Sequence, residues 1–215
     1  MTTYFITIAG NIGVGKSTLT TLLAQKLGWA PYLEGVAENP YLSDFYEDMT
    51  RWSFHSQVFF MAQRLQQHKQ LLANGRSVIQ DRSVYEDAEI FARNLFLQEN
   101  MSQRDWYTYV TLYRTLTELL PPPHLVVYLR ASVDTIRRRI SRRGRTYEQA
   151  IADAYLKQLN VLYEEWVTNF KLCPVLTIET DNLDYVQYDE HLDLITERIQ
   201  QRLHGRDFLT LGEEA

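Results

Sequence analysis

The apolar positions change period along the chain, and those changes divide it into strands and helices. Tyr4-Phe5-Ile6-Thr7-Ile8-Ala9 is a short, largely β-branched run that ends in glycine, and helix-forming residues follow from Leu19 to Leu27 until Gly28 stops them. Trp29 to Leu33 is a second short apolar segment, ending at Glu34. From Trp52 to Leu72 apolar side chains return at helical spacing (Phe54, Val58, Met61, Ala62, Leu65, Leu72), which predicts a long amphipathic helix ending near Asn74-Gly75. Ser77 to Gln80 is a compact strand, Glu86 to Leu97 and Ser102 to Leu119 have helical patterns, and three prolines at 121–123 break the chain. Leu125-Val126-Val127-Tyr128-Leu129 is apolar without alternation, as expected of a parallel strand covered on both faces. Ser132 is placed to cap an arginine-rich helix that Gly144 ends. A further helix is expected over Glu148 to Phe170, a last strand over Pro174 to Ile178, and a closing helix over Asp189 to Leu203.

Five short strands alternating with helices predict an α/β fold with a five-stranded, doubly wound parallel sheet and helices on both faces. At 215 residues the chain suits one domain, read as residues 1–205 with a flexible tail at 206–215. Ligands of such sheets bind outside the carboxyl ends of strands. Gly10, Glu34, Asp81 and Arg130 all fall at such ends, so four distant stretches are expected to converge on one crevice, with the aromatic and acidic segment Tyr41 to Tyr46 as part of its lining.

Charge narrows the ligand. A net charge of −5 argues against a general nucleic-acid binder, yet seven of the 22 basic residues are arginines between Arg130 and Arg145, a concentration suited to a small, highly charged molecule. The single cysteine, Cys173, excludes an intrachain disulfide and suits a reducing compartment. No apolar run approaches about 18 residues and no basic-then-apolar leader precedes the first strand, so a soluble cytoplasmic protein without membrane contact is expected.

The charged molecule is named by Gly10-Asn11-Ile12-Gly13-Val14-Gly15-Lys16-Ser17-Thr18, which stands between a strand and a helix as a phosphate-binding loop must. Its glycines let successive N–H groups turn inward around a polyphosphate at the positive end of a helix. Lys16 is expected on the β- and γ-phosphates of ATP, and the Ser17 hydroxyl on Mg²⁺. The guanine-binding Asn-Lys-x-Asp and the Asp-x-x-Gly of switch GTPases are both missing, and the arginine-rich segment favours phosphoryl transfer. Arg139, Arg143 and Arg145 lie about one turn apart around a helix end, as a lid folding over ATP would need, with Arg138 and Arg142 facing solvent. A hydroxyl acceptor needs a base, and Glu34 is placed for that part; Asp81 either takes that part instead or holds Mg²⁺, directly or through water. Gln57 and Arg64, two turns apart on one helix face, can match a nucleobase edge together with Asp87. Phe91 can stack on that base, and Tyr46 offers a phenol to a sugar hydroxyl.

These stretches resemble the deoxyribonucleoside kinases, the family that includes deoxycytidine, deoxyguanosine and bacterial deoxyadenosine kinases. The resemblance covers Ile6 to about Leu203. It is carried by the glycine loop, by Glu34 with Glu38-Asn39-Pro40-Tyr41-Leu42, by Arg51 to Gln57, by Asp81-Arg82-Ser83-Val84-Tyr85-Glu86-Asp87, and by Arg143-Gly144-Arg145. It implies that Glu34 is the general base on the 5′-hydroxyl and that Arg82 orients that hydroxyl and steadies the reacting phosphate. It further implies that Tyr46 and Glu148 hold the 3′-hydroxyl, that Gln57, Arg64 and Asp87 read the base over Phe91, and that Arg139, Arg143 and Arg145 form the lid. A homodimer inhibited by the end-product triphosphate is implied as well. Two departures stand out: Glu34-Gly35-Val36 replaces the Glu-Pro-Val of many relatives, and Asp81 precedes Arg82 where animal relatives have Glu. The second resembles the deoxyadenosine kinase branch, and Arg64 with Asp87 suits an amino-bearing base, so deoxyadenosine is expected, with deoxycytidine second. Deoxyguanosine is the alternative substrate; a thymidylate-type monophosphate kinase and a non-catalytic nucleotide switch are the rival functions.

Overall fold

A computed structural model describes residues 3–34, 39–149 and 151–204. Its centre is a five-stranded parallel sheet ordered β2-β3-β1-β4-β5, built from β1 (Phe5–Gly10), β2 (Ala30–Tyr32), β3 (Val78–Asp81), β4 (Leu125–Arg130) and β5 (Val175–Glu179). The chain winds from β1 to one side through β2 and β3, then crosses back to β4 and β5. The crossing leaves a crevice at the carboxyl ends beside β1.

Alternate side chains of the central strands feed two apolar layers. Ile6, Ile8, Val127 and Leu129 pack with α1 (Lys16–Leu27), α7 (Val133–Arg143) and α10 (Asp189–His204). Ala9, Val126 and Tyr128 face α3 (Met49–Ala73), α5 (Arg93–Leu97), α6 (Gln103–Thr117) and α9 (Asp153–Asn169). The strand read as Trp29 to Leu33 is paired only over Ala30–Tyr32. Gly28 and Gly144 end their helices in the left-handed conformation, at φ 67° and 74°, and the Ser132 hydroxyl accepts from the Thr135 amide at 3.3 Å.

Three helical expectations are corrected. Tyr41 to Tyr46, read only as a lining, includes α2 (Leu42–Glu47). The helix expected from Glu86 is α4 (Val84–Glu86), a π-helical segment (Asp87–Ala92) and α5, because the Ser83–Glu86 capping box starts it earlier and the wider turns carry Asp87 inward. The helix expected from Glu148 to Phe170 is two, α8 (Thr146–Gln149) and α9, separated at Ile151 and Ala152. The Gly35-Val36 departure, Glu38 and the tail lie outside the described residues.

Candidate active site

The phosphate loop is held from several sides. Asn11 Nδ2 donates to the Leu156 carbonyl at 2.9 Å and to Asn160 Oδ1 at 2.7 Å, so α9 fixes the loop's second residue. Lys16 is buried and its Nζ donates to the Asn11 carbonyl at 2.9 Å. Burial first, and the Arg82 charge after it, bring its ammonium down to about 8 in spite of three nearby carboxylates. Gly10 has φ 143°, and a Cβ there would lie 2.7 Å from the Leu129 carbonyl oxygen of the neighbouring strand. Gly10→Ala is therefore expected to lower the unfolding free energy by about 1–3 kcal/mol, measured by chemical denaturation.

Beside the loop, Ser17 Oγ donates to Asp81 Oδ2 at 2.5 Å, while Asp81 Oδ1 is buried without a partner. A hydroxyl and an unspent carboxylate oxygen are what a hard cation asks for, so Ser17 and Asp81 fit Mg²⁺. No cluster of three acidic, His or Cys side chains stands among the described residues.

Across the crevice, Glu34 follows β2 and meets two guanidinium groups. Its Oε1 pairs with Arg64 Nη2 and, at 3.1 Å, with Arg82 Nε. Burial pushes this carboxyl up, but Arg82, Arg64 and Lys16 outweigh it and hold Glu34 at about 2. Arg64 also donates through Nε to Asp87 Oδ2 at 3.2 Å, so one buried guanidinium joins the expected catalytic base to the expected base reader. Burial raises Asp87 to about 6, the opposite direction to Glu34, because Arg64 and Arg82 only partly offset the loss of water.

Arg82, at the end of β3, has a left-handed backbone (φ 66°) that aims its side chain back under the crevice, 4.3 Å over the Phe91 ring. Ile12, Gly13, Lys16, Ser17, Glu34, Tyr46, Gln57, Arg82, Asp87, Phe91 and Glu148 line one crevice of about 980 Å³, together with the apolar side chains of Leu42, Phe45 and Phe60. Gln57 Oε1 and Glu148 Oε2 are buried in it without partners, two more acceptors that await a donor.

The arginines of α7 divide. Arg143 and Arg145 reach Glu148 Oε1 at 3.6 and 3.1 Å, so the two arginines expected in a lid rest on the acid expected to hold a sugar hydroxyl. Arg139 is committed elsewhere: it donates to the carbonyls of Val14 (2.8 Å) and Thr180 (2.6 Å) and clamps the phosphate loop to the turn after β5. Arg138 and Arg142 are exposed as expected, yet they line the crevice mouth. Arg130 does not converge with the others; it is not among the crevice's lining residues and pairs instead with Glu164 of α9 (2.5 Å) and Glu179 at the end of β5 (2.6 Å), two acids that satisfy its guanidinium.

The sequence reading missed Glu86 and Tyr163, which grip Arg82, and the turn Asp181–Tyr188, whose Tyr185 hydroxyl donates to the Gly15 carbonyl at 3.1 Å. Ser83-x-x-Glu86 is a legible capping box that points to Glu86; Tyr163 leaves no such signal.

The deoxynucleoside kinase family matches residues 6–204. A deoxyadenosine/deoxycytidine kinase of Bacillus subtilis is 39% identical over 201 residues, 93% of each chain, and a deoxyguanosine kinase of the same organism is 34% identical over 92% of this chain and 96% of its own. A solved deoxyadenosine kinase from M. mycoides, with products dCMP and a flexible dCDP bound, superposes with a TM-score of 0.81 at 32% identity, over 92% of this chain and 99% of that one. The glycine loop on β1, the acid beyond β2 and the buried arginine after β3 thus sit in a chain that is similar to such enzymes over nearly its whole length, and it belongs to the deoxynucleoside kinase family.

Proposed function

We propose that this kinase transfers the γ-phosphate of ATP to the 5′-hydroxyl of deoxyadenosine, and of deoxycytidine as a second substrate. The observation that carries this reading is Glu34, a carboxylate lining the same crevice as the phosphate loop and gripped by Arg82. The O5′–Pγ bond forms as the bond from Pγ to the β–γ bridging oxygen breaks. The hydroxyl proton passes to Glu34, and ADP leaves.

Held at about 2 by Arg82, Arg64 and Lys16, Glu34 is a weak base as it stands. A nucleobase that engages Arg64 and Asp87 draws one of those cations away, so the base gains proton affinity only when the right substrate is in place. Arg82 and Lys16 balance charge on the reacting phosphoryl group, and Arg143 and Arg145 join them when the lid closes and they leave Glu148. Arg139 can do so only by giving up its carbonyls; otherwise it shapes the loop. Ser17 and Asp81 would hold Mg²⁺, which would supply charge neutralisation to the triphosphate. Gln57 and Asp87 would read the base over Phe91, and Tyr46 and Glu148 the 3′-hydroxyl.

The adenine and cytosine choice is supported by the Arg64–Asp87 pair, which offers donor and acceptor to an amino-bearing base, and by the M. mycoides enzyme, solved also with dATP bound. Measuring kcat/KM for the four deoxynucleosides at saturating ATP and Mg²⁺ tests it: deoxyadenosine ranks first and deoxycytidine second. Deoxyguanosine in first place makes the protein a deoxyguanosine kinase, the reading favoured by its 34% identical relatives. Phosphorylation of monophosphates alone, or ATP binding without product, returns the thymidylate-type kinase or the nucleotide switch. One domain and a pair of identical subunits complete the proposal; exposed Tyr107 (74%) and Leu119 (78%) on and after α6 offer apolar area for such pairing. No helix among the described residues is long and apolar enough to cross a membrane.

A further inference from the structure

The side chain that steadies the reaction is itself steadied by two residues outside the mechanism above. Glu86 is fully buried and its carboxylate is shared among several donors: Oε1 accepts from the Ser83 amide at 3.0 Å, and Oε2 from the Gly10 amide at 3.2 Å and the Tyr163 hydroxyl at 2.8 Å. The Tyr163 oxygen in turn accepts from Arg82 Nη1 at 2.9 Å, and Arg82 Nη1 stands 3.5 Å from Glu86 Oε2. Tyr163 projects from α9 and is wholly buried, with its ring stacked on Tyr128 at 5.5 Å. One carboxylate therefore touches the first residue of the phosphate loop, the turn that carries Arg82 and, through a phenol, the tip of Arg82.

The direction of these bonds matters. A phenol has one proton; spending it on the carboxylate leaves only lone pairs toward the guanidinium. A hydroxyl between a cation and an anion is thus oriented by both, and a bond to each is stronger than a neutral one. Arg82 needs such holding, since its left-handed backbone is uncommon for a residue with a Cβ. Its Nε is left for Glu34, and the face of its guanidinium for the Phe91 ring.

We propose that Tyr163 and Glu86 are a positioning unit that sets the Arg82 guanidinium in register with the phosphate loop for phosphoryl transfer. The unit acts through Arg82 and touches no substrate, and it rests on the reading of Arg82 given above.

The test is a mutant cycle read as kcat and KM, with Tyr163→Phe made in the wild-type chain and again in Arg82→Lys, whose single amine has no Nη1 to hold. In the wild-type chain Tyr163→Phe lowers kcat about 10-fold, with both KM values within about 3-fold, as expected when a reacting group is displaced by a fraction of an ångström. In the Arg82→Lys chain the same change costs less than about 2-fold, the signature of two residues acting as one. An unchanged kcat in Tyr163→Phe, or the same fold-loss in both chains, overturns the proposal. Full kcat in Arg82→Lys alone refutes the reading of Arg82, which is a separate failure. Should Tyr163→Phe not fold, Glu86→Gln in the two chains asks the same question, because an amide nitrogen in place of Oε2 can accept from neither the phenol nor the Gly10 amide.

Discussion

Glu34→Gln is expected to lower kcat with deoxyadenosine by about 10²–10⁴, the range that a positioned proton acceptor supplies. The amide keeps the shape of the side chain and cannot take a proton. Arg64 retains Asp87 and Arg82 retains Glu86 and Tyr163, so neither buried cation is left alone and the fold persists. Affinity for ATP changes little, because none of the loop's hydrogen bonds runs through position 34. Initial rates at saturating ATP, set beside ATP binding by calorimetry, check both halves. A variant that turns over at the wild-type rate would show that the acceptor arrives already ionised, as a monophosphate does, and the hydroxyl-acceptor reading would fall.

The glycine loop was legible because motif, preceding strand and following helix agree, and each is a local property of neighbouring residues. The sheet was legible for the same reason: β4 is apolar at five successive positions, and only a strand covered twice needs that. Pairings between distant charges were not. Arg130 sits at a strand end like Glu34 and Asp81, but Glu164 and Glu179, 34 and 49 residues away, claim it. Arg139 has the helical spacing of a lid residue, yet the carbonyls of Val14 and Thr180 take its donors, and no sequence pattern announces a carbonyl. Gln57 and Asp87 line the crevice, while Arg64 is buried behind it. That Gln57 and Arg64 share one face of α3 was foreseeable from helix periodicity. That Arg64 spans Asp87 and Glu34 was not, since it depends on how β2 and α3 meet.

Arg64→Ala tests that span, and its effect falls on both recognition and stability. Losing a charged hydrogen bond to the base is expected to reduce kcat/KM for deoxyadenosine and deoxycytidine by about 10–100-fold, and for thymidine by less, since thymine has no amino group to present to the pair. An equal loss for all three would refute a base-reading part for Arg64. The same change leaves Asp87, 5% exposed, without its main counter-charge, a loss of about 3–5 kcal/mol at neutral pH when one partner of a buried pair is removed. The sign of the pH dependence follows from the two acids. Asp87 stands at about 6, above its unfolded 3.8, so its ionised form opposes folding; the penalty is complete above about 6 and fades as pH falls toward 3.8. Glu34 stands at about 2, below its ordinary 4.5, so its contribution is present above 4.5 and is lost as pH falls toward 2. Removing Arg64 raises both groups. Asp87's share of the stability gap between wild type and variant is therefore lost as pH falls from the variant's raised value to about 6, and Glu34's share is lost only as pH falls further toward 2, so the gap is wider at about pH 7.5 than at about pH 5. Urea unfolding of both proteins at about pH 7.5 and about pH 5 measures the gap, and a gap equal at the two pH values would mean that Arg64 stabilises the fold by packing alone.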